Sequence, residues 1–263
     1  MRTDDTVPTG QWAVVTGASC GLGREFARQL AARGYHLVLV ARTAERLGET
    51  SAELASDTCL VRTVTLDLAR AGAAEELVAQ TDAWGLVPEV LVNNAGIGAW
   101  GRFLECAPDR VRGLLQLNAS SLVLLSLLYG VRMRAKGRGY LLQVASTAAF
   151  QPVPSFAVYA ATKSLVLSFS QALQYEGRKT GVSSTVLCPG PTATQFFTTA
   201  GLRPNRFFQA MMMPSAEVAR HGLDAMFRRK AVHTPGFWNK LTVFLPRLLP
   251  AGWMVRAADL FIK

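Results

Sequence analysis

An apolar, β-branched run, Trp12–Thr16, passes into Gly17-Ala18-Ser19-Cys20-Gly21-Leu22-Gly23 and straight on into a segment of helical periodicity, Leu22–Arg33. No other stretch restricts the backbone so strongly. Glycine admits the left-handed conformations and close backbone approaches that so short a strand-to-helix turn requires. The helix that follows presents unpaired N–H groups and the positive end of its dipole over the loop, an arrangement suited to a pyrophosphate. The spacing is Gly-x-x-x-Gly-x-Gly, which differs from the Gly-x-Gly-x-x-Gly fingerprint of many dinucleotide sites. Alone, the loop therefore leaves an ordinary structural turn open.

The same alternation continues along the chain. Trp12–Thr16, His36–Ala41, Val61–Leu66, Val90–Asn93, Tyr140–Ala145 and Val182–Cys188 read as strands, and their nearly continuous apolarity is that of a parallel sheet covered on both faces. Leu22–Arg33, Ala44–Ala55, Ala73–Ala83, Pro108–Lys136 and Ala157–Lys179 read as helices, with Gly34, Gly85 and Gly181 marking ends. Repeated βα units predict an α/β protein: a single Rossmann-type doubly wound domain, its mainly parallel sheet flanked by helices on both faces. Within residues 1–263 the expected division is a cofactor-binding half (11–100), a catalytic half (101–194), a substrate lid (195–215) and an apolar C-terminal extension (237–263).

Bulk composition excludes several classes. The N-terminal stretch Met1–Gly10 is polar and has no apolar core, so no secretory signal is read there. The apolar run Leu114–Tyr129 is short for a bilayer span. A soluble cytoplasmic protein is expected, one that is at most peripheral to a membrane. Cys20, Cys59, Cys106 and Cys188 lie far apart and show no metal spacing, and His36, His221 and His233 show none either. The cysteines read as small buried residues in a reducing compartment, except Cys20, whose place in the glycine loop leaves it open to reaction. The net charge of +10 collects at helix ends, as at Arg132, Arg134, Lys136 and Arg138. No basic stretch interleaved with aromatics points to nucleic acid.

The second strand ends Val40-Ala41-Arg42. An acid at this place binds a ribose 2′-hydroxyl, whereas an arginine suits a 2′-phosphate, so NADP is expected over NAD. Asp67 follows the third strand, where it can reach an adenine edge, and Asn93-Asn94-Ala95-Gly96 closes the fourth. Farther on, Ser146 ends the fifth strand, and Tyr159 and Lys163, four apart, share a helix face. A free phenol has a pKa near 10. A lysine about 4 Å away at an effective dielectric of about 20 offsets it by roughly 4 kcal/mol, about three pKa units, which is the range an acid/base group needs.

Taken together, Thr16–Gly23, Asp67, Asn93–Gly96, Asn118, Ser146, Tyr159-x-x-x-Lys163 and Pro189-Gly190-Pro191-Thr192-Ala193-Thr194 resemble the short-chain dehydrogenase/reductase family in order and separation, over roughly residues 11 to 235. The resemblance implies that Tyr159 is the acid/base, that Ser146 hydrogen-bonds the substrate oxygen, and that Lys163 holds the ribose and tunes Tyr159. It further implies that Asn118 holds a water joining Lys163 to solvent. The coenzyme site would comprise Gly17, Ser19, Cys20, Gly21, Leu22, Gly23, Arg42, Asp67, Asn94, Ala95, Gly96, Tyr159, Lys163, Pro189, Gly190, Thr192 and Thr194, with Thr194 favoured over Thr192 for the nicotinamide amide. Cys20 departs from the basic residue that many NADP-using members carry there. Family members usually pair through the helices that bear Asn118 and Tyr159, so a homodimer or homotetramer is expected.

The expected activity is NADPH-dependent interconversion of a ketone and a secondary alcohol. A catalytically silent NADP-binding sensor or scaffold is the alternative, and a dehydratase or epimerase on the same fold the third reading. Phe196, Phe197, Phe207, Phe208 and Met211–Met213 make the lid apolar, and Phe150, Val153 and Phe156 are read as the facing wall. The substrate is expected to be apolar: a fatty acyl, steroid or terpenoid carbonyl compound bound by Ser146, Phe150, Phe156, Tyr159, Phe196 and Phe197. The tail after Phe237 is read as packing on its own domain or a sister subunit, as weak contact with a membrane surface, given Trp238, Phe244, Trp253 and flanking Arg247, Arg256 and Lys263, or as disorder.

Overall fold

Six strands that the periodicity predicts lie side by side in a computed structural model that describes residues 10–202, 208–209 and 211–262. Residues 1–9, Phe207 of the lid and Lys263 lie outside the described residues. The strands are β1 (Trp12–Thr16), β2 (His36–Ala41), β3 (Val61–Thr65), β4 (Val90–Asn93), β5 (Gly139–Val144) and β6 (Val182–Leu187). A short β9 (Val232–His233) completes a seven-stranded sheet of order β3-β2-β1-β4-β5-β6-β9, parallel throughout. The order reverses between β1 and β4, and in open parallel sheets that switch point opens a crevice at the carboxyl ends of the strands. The glycine loop and Asn93–Gly96 both lie there.

Alternate side chains feed opposite layers. Ala13, Val15, Leu37, Leu39, Val90 and Val92 pack on Phe26 and Leu30 of α1 (Gly21–Ala31), Leu47 of α2 (Ala44–Leu54) and Leu223 of α8 (Ser215–Phe227). On the other face Val14, Val38, Val40 and Leu91 pack on Leu77 of α3 (Ala73–Ala83) and on Leu125, Tyr129 and Met133 of α5 (Leu122–Ala135). Beyond α5, Val166 of α6 (Ala157–Glu176) packs on Val186.

The helix expected over Pro108–Lys136 is interrupted. It runs as α4 (Pro108–Leu115), a π turn over Gln116–Ser121, then α5. Pro108–Ala135 is long and apolar enough to cross a membrane by length and composition, but half of its most apolar window is buried in the protein. Its apolarity is that of a helix covering the centre of the sheet.

Two-residue strands β7 (Thr192–Ala193) and β8 (Met213–Pro214) pair in parallel on either side of the segment expected to form the lid, which carries the short helix α7 (Phe196–Ala200). The chain closes with α9 (Phe237–Phe244) and α10 (Ala251–Ile262).

Candidate active site

Gly17 and Gly21 adopt positive φ, +67° and +52°. A Cβ on Gly23 would lie 2.0 Å from the Gly17 carbonyl oxygen, so the loop folds on itself more tightly than any side chain allows. Thr16 secures it: its Oγ1 accepts from the backbone N–H groups of Asn94 and Ala95, both at 3.0 Å, and donates to the Val92 carbonyl at 3.2 Å. The Asn94 amide donates to the Thr16 carbonyl at 3.0 Å. Its side chain thus holds two crevice loops together instead of reaching outward. Cys20, exposed, occupies the N-cap of α1 without a side-chain cap bond, and the first turn has no acid. Ser19 and Leu22 sit half-buried beside it. The N–H groups of this turn are left for an anion.

Arg42 follows β2 directly and is exposed, with no ion pair or side-chain hydrogen bond among the described residues. Asp67 is exposed and accepts from the Ala69 N–H at 2.9 Å, fixing its turn. Thr194 borders the glycine loop, its Cγ2 3.1 Å from where a Gly21 Cβ would stand. Thr192 is buried and turned inward, donating to the Gly190 carbonyl at 3.0 Å. The Pro189 carbonyl accepts from Thr147 N–H at 2.9 Å, joining this loop to the turn after β5.

Ser146 caps the 3₁₀ turn Thr147–Phe150, accepting from Ala148 N–H at 3.1 Å. Its side chain also acts on the Tyr159 phenol, lowering its pKa. Lys163 is buried; its Nζ lies 5.6 Å from the centroid of the Tyr159 ring and donates to the Val144 carbonyl at 2.7 Å. Burial pushes the phenol up to about 12, against a smaller lowering by Ser146. Burial lowers Lys163 to about 8. The acidification of Tyr159 by Lys163 expected from sequence is therefore not made by the protein alone: the ammonium is engaged by a backbone carbonyl and lies over the ring.

Asn118 stands inside the π turn, fully buried. Its Oδ1 accepts from Ile97 N–H and its Nδ2 donates to the Ile97 carbonyl, both at 2.9 Å, with Thr162 Oγ1 at 3.4 Å. Most of its side-chain capacity is thereby taken, which leaves little for the water the resemblance assigns to it. Gly96 lies between: a Cβ there would be 3.3 Å from Asn118 Oδ1 and 3.6 Å from Lys163 Nζ.

The apolar wall is a ladder of rings. Trp100 meets Phe156 at 5.2 Å, Phe156 meets Tyr159 at 5.4 Å, Tyr159 meets Phe196 at 5.3 Å, Phe196 meets Phe197 at 5.4 Å and Phe197 meets Phe208 at 5.1 Å. Phe150 does not join it. The 3₁₀ turn rolls Phe150 onto Leu122, Val166 and Val186, where it borders a cavity of about 510 Å³ shared with Ala157, Ala161 and Val255.

Three residues of the site were given no part in it by the sequence reading. Trp100 ends the ladder, and its N–H donates to the Ala200 carbonyl of the lid at 2.9 Å. Asn239 of α9 covers Gly190 so closely that a Cβ there would lie 2.1 Å from Asn239 Oδ1. Cys188, fully buried, lies beside Lys163 and the Ser146 backbone, its thiol pushed up to about 12 by burial. Only Cys188, adjoining Pro189-Gly190, had a signal in the sequence.

The family model for short chain dehydrogenases matches residues 11–204. The probable oxidoreductase EphD of Mycobacterium tuberculosis is 34% identical over 188 residues, which cover 71% of this chain and 32% of that protein; the chain thus spans about a third of that relative. The very-long-chain 3-oxoacyl-CoA reductase of Mycosarcoma maydis is 31% identical over 255 residues, covering 93% of this chain and 71% of that protein. Among solved structures, a short-chain dehydrogenase from Sphingobium yanoikuyae in complex with NADPH superposes with a TM-score of 0.79 at 28% identity, over 90% of this chain and 94% of that one.

Proposed function

This chain belongs to the short-chain dehydrogenase family, and from that premise we propose that it interconverts a ketone and a secondary alcohol with NADP(H), on an apolar substrate. The observation that carries the reading is Tyr159 at the middle of the aromatic ladder, with Lys163 Nζ 5.6 Å from its ring centroid and Ser146 acting on its phenol.

The crevice suits the coenzyme. Free N–H groups of α1 face the loop, Thr194 borders Gly21, and Gly96 leaves the approach to Lys163 open. Gly17–Gly23 would hold the pyrophosphate, Arg42 a 2′-phosphate, and Thr194 the amide. A nicotinamide held there would provide the hydride chemistry. Ser146 and Tyr159 together fix the substrate oxygen, and in reduction Tyr159 Oη gives it a proton. A phenol at about 12 is protonated across the neutral range, so it is ready to donate; the oxidative direction demands a phenolate the protein's own charges do not provide.

The ladder supports an apolar substrate, and the likeness to a very-long-chain 3-oxoacyl-CoA reductase agrees with that. Exposed Leu127 and Val131 on α5, with Leu165 and Tyr175 on α6, offer a face for a second copy. The test is NADPH and NADH consumption against ketones of graded chain length. NADPH should be consumed fastest with long apolar ketones, and Tyr159→Phe should lower turnover by about 10²- to 10⁴-fold while still binding NADPH. A parent protein that binds NADPH but reduces no ketone would overturn the reading.

A further inference from the structure

The C-terminal helices carry a surface that the redox reaction does not require. Phe237, Trp238, Leu241, Phe244, Leu245, Leu248, Leu249 and Trp253 are all exposed large apolar side chains, from 37% for Leu245 to 73% for Phe237. Scattered single exposed apolars are ordinary in soluble proteins; eight within one short segment form a patch of the kind that marks an interaction surface. We infer that this patch seats the protein on the surface of an anionic lipid bilayer, with α9 and α10 lying in the plane of the headgroups.

Charge identifies the occupant. From Arg228 to Lys263 the sequence has seven basic residues and a single acid, Asp259, so a net +6 of the chain's +10 lies in this stretch. Lys240 and Arg256 are exposed within the two helices themselves. A basic, apolar, aromatic segment matches a negative leaflet, to which cationic residues are drawn within a Debye length of the surface. A self-complementary interface between two copies would bring these like charges together. The exposed apolars of α5 and α6 also offer a second copy a separate face.

Geometry selects a seat on the bilayer, not a span through it. A span needs about 20 consecutive residues in one helix; α9 has 8 and α10 has 12, separated by a 3₁₀ turn and by Pro246 and Pro250. Trp238 and Trp253 are 69% and 65% exposed, and tryptophan favours the headgroup level.

The seat adjoins the reaction crevice. Asn239, next to Trp238, covers Gly190, and Val255, two residues after Trp253, borders the cavity of about 510 Å³ beside α6. An apolar ketone dissolved in the bilayer would reach the crevice without crossing water; this delivery, unlike the attachment, rests on the redox reading above.

The test uses the full chain and sedimentation with vesicles of phosphatidylcholine containing about 30% phosphatidylserine, with pure phosphatidylcholine in parallel. The parent protein should sediment with the anionic vesicles, about tenfold less with neutral ones, and less at about 1 M salt, where screening shortens to about 3 Å. The triple variant Trp238→Glu, Leu248→Glu, Trp253→Glu should stay in solution yet still bind NADPH, which reports that it is folded. Intrinsic tryptophan emission of the parent should shift to the blue on anionic vesicles, a readout that needs no variant. No sedimentation and no shift with either vesicle overturns the inference, as does equal sedimentation of the triple variant. So does a parent assembly that the variant dissociates while neither binds lipid, which would make the patch a contact between copies. NADPH consumption with a water-soluble ketone, measured without vesicles, fails only if the redox reading fails.

Discussion

Lys163 Nζ stands 5.6 Å from the centre of the Tyr159 ring while donating to the Val144 carbonyl. This pair shares a helix face and a buried environment, and burial pushes both toward their neutral forms: Tyr159 up to about 12, Lys163 down to about 8. The consequence can be measured on the protein alone.

A lysine whose folded pKa is about 8, against 10.5 when unconstrained, binds fewer protons folded than unfolded between those values. Stability linked to Lys163 therefore rises with pH from about 8 to 10.5, and the cost of holding its charge is full below 8. At 1.36 kcal/mol per unit that cost is about 3 kcal/mol. Tyr159 acts in the opposite sense at higher pH, its contribution falling between 10 and about 12. The Lys163→Met variant should lose the rise above pH 8. Urea unfolding of parent and variant at a series of pH values checks this; parallel curves would contradict it.

Proton donation by Tyr159 is expected to be worth the usual general-acid factor. Tyr159→Phe should lower kcat for ketone reduction by about 10²- to 10⁴-fold and leave the Kd for NADPH within about twofold of the parent. Stopped-flow hydride transfer and fluorescence titration of NADPH separate the two quantities.

Arg42 is exposed at the end of β2, with no ion pair or side-chain hydrogen bond among the described residues. Charge-assisted bonds to a 2′-phosphate are worth about 1.5–3 kcal/mol, so Arg42→Asp should raise Kd for NADPH by about 10- to 100-fold and change NADH far less. Titration with both nucleotides decides it; equal losses would remove the basis for preferring NADP.

Much of this was legible in the sequence, for identifiable reasons. Strands covered on both faces are continuously apolar, so β1, β2 and β4 have the bounds that the pattern predicts. The glycine loop reads clearly because the Gly23–Gly17 approach permits nothing larger. Four-residue spacing places Tyr159 and Lys163 on one face, but spacing carries no information on where an ammonium points, and Val144 O takes it. The π turn was invisible, since apolar periodicity does not distinguish one inserted residue in a long helix. So were β7, β8 and β9, two residues each, and Trp100 and Asn239, whose roles exist only in tertiary contact. Phe150 and Phe156 are equally aromatic neighbours in sequence; the 3₁₀ turn that ends at Phe150 carries it away from the ladder that Phe156 joins.

The two glycine contacts most alike on paper should respond in opposite ways to relief. In Gly23→Ala the new methyl group meets the Gly17 carbonyl, 2.0 Å away and part of the backbone, with the Asn94 amide at 2.7 Å. Truncating Asn94 would leave the backbone contact in place, so the loop itself must open, and overpacking of this kind costs about 1–3 kcal/mol. In Gly190→Ala the methyl meets the Asn239 side chain, its Oδ1 2.1 Å away. Asn239 is otherwise held by the Pro235 carbonyl, to which it donates at 2.9 Å, and its removal clears the space. Gly190→Ala should weaken NADPH binding about tenfold by pushing α9 off the loop, and Asn239→Ala added to it should restore most of that loss. Asn239→Ala added to Gly23→Ala should restore nothing. Thermal unfolding and NADPH titration of the four variants read both couplings, and the absence of rescue at Gly190 would show that α9 does not bear on the coenzyme loop.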